Sequence, residues 1–154
     1  MLRISKLTDY ATVILSHIAK ETAQTHSAIG VAEATGIALP TVSKILKILV
    51  NANVVVSTRG IKGGYALAKS PEKISVADVI SALEGPIAVT ECSISHESCE
   101  QASGCAIGGN WGLINQAIKN TLESISLADM IKPAHHYEEI LIPVGSINRI
   151  LREF

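Results

Sequence analysis

Two short helical patterns on either side of Gly36, followed at once by a β-branched run, constrain the fold of this chain most. Ser27 is a favourable N-cap for a helix over residues 28–35, which Gly36 can end in a left-handed conformation. Pro40 suits the first turn of a second helix over 40–51, because its missing N–H has no intrahelical partner there. Two short helices around such a turn predict a helix-turn-helix, with 40–51 as the recognition helix.

The segment after the recognition helix predicts a β-hairpin. Residues 54–58 are mostly β-branched, a glycine-rich turn follows at 59–64, and the chain returns over 65–68. Two strands around a glycine-rich turn form a hairpin, and a hairpin directly after a recognition helix is a wing. Arg59 and Lys62 give this wing a basic tip that can enter a minor groove or contact backbone phosphate.

Three further helices are predicted around this unit. The first helix of the chain runs from Ser5 or Thr8 to about Lys20, and another covers 75–84 before a Gly-Pro stop. A fifth helix covers about 111–124 and continues an apolar stripe at helical spacing: Trp111, Ile114, Ile118, Leu122 and Ile125. Pairing with a second copy would bury that stripe in a two-fold homodimer, and packing back onto its own domain is the alternative.

These elements predict a chain that is mainly α with a small β-hairpin: a winged helix-turn-helix plus a long C-terminal dimerisation helix. We expect a DNA-binding domain at 1–85, a cysteine-containing loop at 86–110, and the dimerisation helix with a following turn at 111–132. The tail at 133–154 has no assigned role. Its apolar residues predict a strand over 140–144 and a short helix over 147–151.

The charge of the chain is divided between its two halves. Residues 1–73 carry nine Lys or Arg and four Asp or Glu, whereas residues 74–154 carry four and ten. A basic first half indicates an anionic partner, and double-stranded DNA is the partner that a helix-turn-helix binds. The recognition-helix residues expected away from the apolar stripe are Pro40, Thr41, Ser43, Lys44 and Lys47.

Composition and motifs exclude several other classes of protein. A hydrophobic fraction of 47% and a charged fraction of 18% exclude a disordered chain. No secretory signal or membrane-length apolar run is visible, which predicts a cytoplasmic protein without a membrane partner. No phosphate-binding loop, dinucleotide fingerprint or nucleophile elbow is present, and the cysteines carry no catalytic signature, so no enzyme activity is expected.

Three cysteines stand within one short segment, spaced Cys92-x6-Cys99-x5-Cys105. An odd number of cysteines in a reducing compartment favours metal or redox chemistry over a disulfide framework. Thiolates suit an iron–sulfur cluster, and this spacing is wider than the knuckles of structural zinc sites. Zinc and a thiol-redox switch stay open as alternatives. Three thiolates leave a fourth position, for which the candidates are Glu91, His96, Glu97, Glu100, Asp9, His17, His26, His135 and His136.

Several motifs together resemble one known family. They are LRISKLTDYA at the N-terminus, AEATGIALPTVSKILKIL in the helix pair, VSTRGIKGGYALAK in the wing, ISVADVISALEGP in the next helix, and NWGLINQAI with TLESISLADM further on. Over residues 1–132 the chain is similar to the iron–sulfur-sensing winged-helix repressors that include IscR and NsrR. The phrases SKLTDYA, ALEGPIAVTEC and NWGLIN point within that family to regulators of the SUF iron–sulfur assembly system.

The resemblance implies a homodimeric repressor that binds a partly palindromic operator. It also implies that Cys92, Cys99 and Cys105 hold a cluster, of the 2Fe–2S or the 4Fe–4S type. IscR has a histidine ligand at the position of Gly108, so that ligand is missing here. NsrR uses an N-terminal aspartate from the other subunit, and the resemblance places that ligand at Asp9.

The resemblance also implies which residues contact DNA. The family's recognition-helix contacts fall on Pro40, Thr41, Ser43 and Lys44, and Arg59 matches the wing arginine. A minor-groove role is therefore implied for Arg59. IscR has a glutamate where Ser43 stands, so the sequence preference of this chain need not follow that regulator.

Overall fold

The computed structural model describes residues 3–60, 63–94, 105 and 107–132. Within these ranges the elements follow the order α1 (Lys6–Lys20), α2 (Ala28–Thr35), α3 (Leu39–Asn51), β1 (Val55–Thr58), β2 (Gly64–Leu67), α4 (Val76–Glu84), α5 (Gly108–Ser124) and α6 (Leu127–Ile131). Short 3-10 turns lie at Pro71–Lys73 and Glu91–Ser93. The predictions for Lys62, Cys99 and the tail at 133–154 fall outside the described residues.

The element order confirms the mainly helical class with one hairpin, while three helix starts differ from those predicted. α4 begins at Val76, one residue later than expected, with Ser75 as its N-cap. The recognition helix α3 begins at Leu39, one residue earlier than expected. α5 begins at Gly108, three residues before Trp111 and inside the predicted loop. Glycine has low helix propensity, and the N-cap Ile107 makes no side-chain capping bond, so the sequence carries no start signal there.

The core is aliphatic and lies between α1 and α3. Each of these helices buries one stripe of its surface. The fully buried hydrophobic side chains on the two helices are Ala11, Ile14, Leu15, Ile18, Val42, Ile45, Leu46 and Leu49. Val31 from α2, Val55 from β1 and Val79 from α4 belong to the same cluster. Burying one large aliphatic side chain contributes about 1.5–3 kcal/mol relative to leaving it exposed, so this cluster dominates the stability of the fold.

The helix-turn-helix forms as the sequence predicts. Ser27 caps α2 by accepting a hydrogen bond from the N–H of Gly30 at 3.0 Å, and Gly36 follows α2 with a φ of 70°. A side chain would be strained in that left-handed conformation, so glycine fits the turn. No single helix in the described ranges is long and apolar enough to cross a membrane; α2 and α3, bent by 119°, pass that test only as a pair.

The wing is an antiparallel hairpin, and one further residue, His26, pairs with its second strand. β1 pairs with β2 in a register that places Val55 opposite Leu67. His26, in the segment between α1 and α2, exchanges two backbone hydrogen bonds of 2.8 Å with Tyr65 in β2. The hairpin is therefore attached to the segment that leads into the helix-turn-helix, a contact that no local pattern around His26 indicates.

α6 returns the chain to the winged domain after α5. Ser75 and Ser126 form an isolated bridge, and the N–H of Leu127 donates to the carbonyl of Ile74 at 2.7 Å. Leu127 is 2% exposed and belongs to the core cluster. The last part of the predicted 111–132 segment thus packs on the winged domain.

The N-termini of α1, α4 and α6 share a capping arrangement, but α1 completes it differently. In α4 and α6 a serine N-cap bonds reciprocally with an aspartate three residues later, as Ser75 does with Asp78. In α1 the N-cap is Ser5, and Thr8 stands where the aspartate would be. Glu84 of α4 supplies the missing carboxylate, because its Oε1 accepts from the N–H of Ser5 at 2.7 Å and from the hydroxyl of Thr8 at 2.5 Å. The start of α1 is thereby tied to the end of α4.

We expect Glu84→Ala to lower the free energy of unfolding by about 0.5–1 kcal/mol, the low end for a lost helix cap because the carboxylate is exposed. Hydrogen bonds from the Thr8 hydroxyl and the Ser5 N–H hold the pKa of Glu84 below its ordinary value of 4.5. A lowered folded-state pKa means that this stabilisation is present above pH 4.5 and is lost as the pH falls through the lowered pKa.

Urea unfolding near neutral pH and well below pH 4.5 measures both effects. Glu33→Ala is the matched control, because Glu33 is an exposed glutamate on α2 that is not part of this contact. A difference between the two variants that is absent at neutral pH, or that grows in acid, would contradict the role assigned to Glu84.

Candidate DNA-binding surface and cysteine segment

α3 divides into a buried apolar face and an exposed polar face. Four of its apolar side chains are buried in the core, namely Val42, Ile45, Leu46 and Leu49. The predicted DNA contacts on this helix lie on the other face: Pro40, Ser43, Lys44 and Lys47 are exposed, and Thr41 is half-buried. Positions three and four residues apart share one side of a helix, which groups these residues into a single recognition surface.

Three cations on the recognition helix and the wing are unpaired among the described residues. The side chains of Lys44, Lys47 and Arg59 are exposed and form no ion pair or hydrogen bond within the ranges that the structure describes. Arg59 directly follows the last residue of β1, at the tip of the wing. Unpaired cations at these places can neutralise phosphates and release counterions, which is the main source of affinity for DNA.

Leu39 is a surface residue that the sequence pattern missed. It is the first residue of α3 and is 39% exposed, although it is a large apolar side chain. The N-terminal residues of a recognition helix contact base edges, where an apolar side chain can contact the methyl group of thymine. The available signal was an apolar residue directly before Pro40, one position outside the predicted helix.

Two glycines of the wing are required by close backbone approach. A Cβ on Gly63 would overlap the carbonyl oxygen of Thr58. A Cβ on Gly64 would lie 2.8 Å from the carbonyl oxygen of His26, the atom that accepts a hydrogen bond from Tyr65. Backbone atoms cannot move aside as the end of a flexible side chain can, so both positions exclude a side chain.

The two described cysteines stand between the winged domain and α5. Cys92 lies in the short turn after α4, is half-buried, and has its Sγ 3.1 Å from the hydroxyl of Thr90. Cys105 is exposed, and its Sγ would be 3.9 Å from a Cβ on Gly108, the first residue of α5. Both thiols are free. A histidine in place of Gly108 would therefore stand beside the Cys105 thiol.

The donor chemistry of this segment fits a soft metal centre. Thiolate sulfur is the preferred ligand of iron–sulfur clusters, and neither described thiol is used in a disulfide. Within the described residues, no three His, Cys, Asp or Glu side chains form a group that could hold a metal ion. A full ligand set therefore needs a donor outside the described residues, such as Cys99, or a donor from a second copy.

The candidates for a fourth ligand differ in their exposure and contacts. Asp9 is exposed in the first turn of α1, and its carboxylate has no hydrogen-bond or ion-pair partner among the described side chains. The rings of His17 and His26 contact each other edge to face, 5.3 Å between centroids. Glu91 directly precedes Cys92. The other candidates lie outside the described residues: His96, Glu97, Glu100, His135 and His136.

A winged helix-turn-helix with an unpaired cationic recognition surface defines a DNA-binding transcription regulator. The chain belongs to the Rrf2 family, described as iron-dependent transcriptional regulators, and the family model matches residues 4–133. It is 31% identical over 134 residues to protein rrf2 of Nitratidesulfovibrio vulgaris, which covers 86% of this chain and 89% of that protein.

The chain is also similar to two other regulators, IscR and CymR. It is 32% identical over 101 residues to the HTH-type transcriptional regulator IscR of Aliivibrio salmonicida, covering 66% of this chain and 60% of that protein. The solved structure of CymR, the global cysteine regulator of Bacillus subtilis, matches with a TM-score of 0.66 and 32% identity, covering 85% of this chain and 97% of that one. The predicted family and the role of a DNA-binding transcription regulator are confirmed. Cluster sensing and the closer relation to SUF regulators stay predictions.

We expect Gly64→Ala to break the pairing of His26 with Tyr65 and to lower the free energy of unfolding by roughly 1–3 kcal/mol, because the added methyl group meets backbone. Gly109→Ala is the control, since a Cβ on Gly109 meets nothing within 4 Å and alanine favours a helix. Thermal unfolding compares the two variants. A Gly64→Ala protein as stable as the control would contradict the close approach at the wing.

Proposed function

We propose that this chain is a homodimeric repressor of iron–sulfur assembly genes, of the kind that regulates a SUF system, acting in the cytoplasm. Cys92, Cys99 and Cys105 would hold an iron–sulfur cluster of the 2Fe–2S or 4Fe–4S type. The observation that carries this proposal is the pair of free thiols, Cys92 and Cys105, between the winged domain and α5. A metal centre in that place can influence both the DNA-reading domain and the helix on which a second copy would pack.

The proposal of a homodimer is supported by the surface of α5. No residue of this helix is buried in a single chain, and Leu113 and Ile114 are 43% and 46% exposed. A second copy packed along α5 would cover these side chains and relate two winged domains by a two-fold axis. Two recognition helices related in this way read half-sites about 34–36 Å apart, which predicts a partly palindromic operator.

DNA recognition would be divided between α3 and the wing. Lys44 and Lys47 would neutralise phosphates at the edge of the major groove, and Arg59 would enter the adjacent minor groove. Base edges would be read by the residues near the start of α3, namely Leu39, Pro40, Thr41 and Ser43. Lys62 at the wing tip would add a phosphate contact.

The cluster would be held by three thiolates and one weaker oxygen donor. When bound, it supplies a centre whose loss or oxidation removes the connection between its ligands. We assign the fourth ligand to Asp9 of the second copy, because its carboxylate is exposed and is unpartnered within the described part of its own chain. Gly108 leaves space next to Cys105, at the position where IscR has a histidine.

The chain's own contacts would carry the state of the cysteine segment to the DNA-reading helices. A segment held at both Cys92 and Cys105 fixes the end of α4 relative to α5. Glu84 at the end of α4 is bonded to the start of α1, which packs against the recognition helix. Release of the segment would therefore alter the spacing of the two recognition helices, and a shift of a few ångströms removes phosphate contacts at one half-site.

A thiol-redox switch, or zinc, is the second candidate for the cysteine segment. The similarity to CymR, named a global cysteine regulator, favours it, as do two free thiols of which one is exposed. DNA recognition by α3 and the wing would be the same in both cases. Zinc content, or a disulfide that forms under oxidant in protein free of iron, would favour this candidate.

Lys44→Ala is expected to weaken binding to a DNA duplex that the protein itself selects from a random pool. The slope of log K against log salt should fall by about 1, because one phosphate contact is lost. Lys119→Ala on α5 is the control, since Lys119 pairs with Glu123 at 3.7 Å, away from the recognition helix. Fluorescence anisotropy over a salt series measures both slopes, and equal slopes would contradict the assignment.

Purification without oxygen tests the cluster. The chain is expected to contain iron and sulfide and to absorb visible light, Cys92→Ala to lose both, and Asp9→Ala to show an altered spectrum. Ser81→Ala, at an exposed position of α4, changes a side chain without removing a thiol and should keep the cluster. A colourless protein without iron would overturn the proposal, as would equal affinity for the selected duplex before and after removal of the cluster.

A further inference from the structure

Asn115 of α5 holds the stretch of chain that leads from α4 to Cys92. Its side-chain Oδ1 accepts from the backbone N–H of Val89 at 3.0 Å, and its Nδ2 donates to the carbonyl of Ile87 at 3.2 Å. The amide thus bonds a donor and an acceptor two residues apart, as a neighbouring strand would. Among the described residues these are the hydrogen bonds that anchor Ile87 and Val89, so Asn115 sets how this stretch lies along α5.

The position of Asn115 places Cys92 within reach of Cys105. Asn115 lies seven residues after Gly108, which corresponds to about 10 Å along the helix axis. Cys105 lies against Gly108 at the start of the helix. The three residues from Val89 to Cys92 can also span about 10 Å, so the anchored stretch can bring the Cys92 thiol to the start of α5.

Local contacts hold the turn that contains Cys92 next to α5. The turn that contains Cys92 packs against α5. The hydroxyl of Thr90 lies 3.1 Å from the Cys92 Sγ and 2.9 Å from the hydroxyl of Ser93. Thr90 directly follows Val89, so the hydrogen bond from Val89 to Asn115 is adjacent to the contact that orients the thiol.

We propose that Asn115 is a positioning residue for the metal centre. By anchoring Ile87 and Val89, it holds Cys92 beside the start of α5, so that the thiols of Cys92 and Cys105 can meet at one centre. The role of Asn115 toward the metal rests on the proposed function. The proximity of the two thiols does not, because it is a property of the metal-free chain.

The test removes the two hydrogen bonds while keeping the size of the side chain. Asn115→Leu loses both bonds, and Asn115→Gln restores an amide on a longer side chain. Asn120→Ala is a control on the same helix, where the Asn120 side chain accepts a hydrogen bond from Gln116 at 2.6 Å. Circular dichroism checks the helix content of each variant. Asn115→Ser takes the place of the leucine variant if that protein does not fold.

Two measurements are made on each variant. In metal-free full-length protein carrying Cys99→Ser, dibromobimane reports proximity, because it becomes fluorescent when it links two thiols. Asn115→Leu is expected to slow this linking roughly tenfold, since a loss of positional order lowers the effective concentration of one thiol near the other. In protein with all three cysteines, purified without oxygen, Asn115→Leu should lower the iron content and the visible absorbance, and Asn115→Gln should restore part of both.

The outcomes separate this inference from the proposed function. Equal linking rates in the unchanged protein and Asn115→Leu would overturn the positioning role, whatever the iron content. Where the unchanged protein does contain iron, equal iron content and spectra in these two proteins would overturn it as well. If the unchanged protein contains no iron but its linking rate depends on Asn115, the proposed cluster is wrong and the positioning of the two thiols is supported.

Discussion

The packing of α1 against α3 is the contact on which the rest of the molecule depends. Aromatic residues make up only 3% of the chain, so the core is filled by aliphatic side chains that interdigitate between these two helices. Because α3 uses Ile45, Leu46 and Leu49 for this contact, its orientation in the domain is fixed. The opposite side of the helix, with Lys44 and Lys47, is consequently left for DNA. One interaction therefore supplies both the stability of the domain and the presentation of its recognition surface.

Local signals made the winged domain predictable. Ser27, Gly36 and Pro40 each act within one or two turns of chain, and the wing glycines act within one hairpin. For the same reason the exposed positions of α3 followed from helical periodicity alone. Leu39 was not predicted as a surface residue of α3, because it lies one residue before Pro40, the predicted start of the helix.

The contacts that escaped prediction join residues far apart in the chain. Glu84 bonds Ser5 across 79 positions, and Asn115 bonds Ile87 across 28. A carboxylate at the end of a helix and an amide inside another have no local pattern that names their partners. The positions of the cysteines were visible in the sequence, but the residues that hold the segment in place were not. Such long-range polar contacts join the end of α4 to α1 and the chain that follows α4 to α5.

The bridge between Ser75 and Ser126 has a consequence for how such a protein can evolve. α4 is nine residues long, about 13 Å, and the residue at its start bonds the carbonyl of Ile125, so the chain departs after α4 and rejoins the winged domain a short distance away. The segment between those points therefore has neighbouring ends. A segment joined in this way can differ in length or chemistry without displacing the body that reads DNA, so one DNA-binding scaffold is compatible with responses to unrelated stimuli.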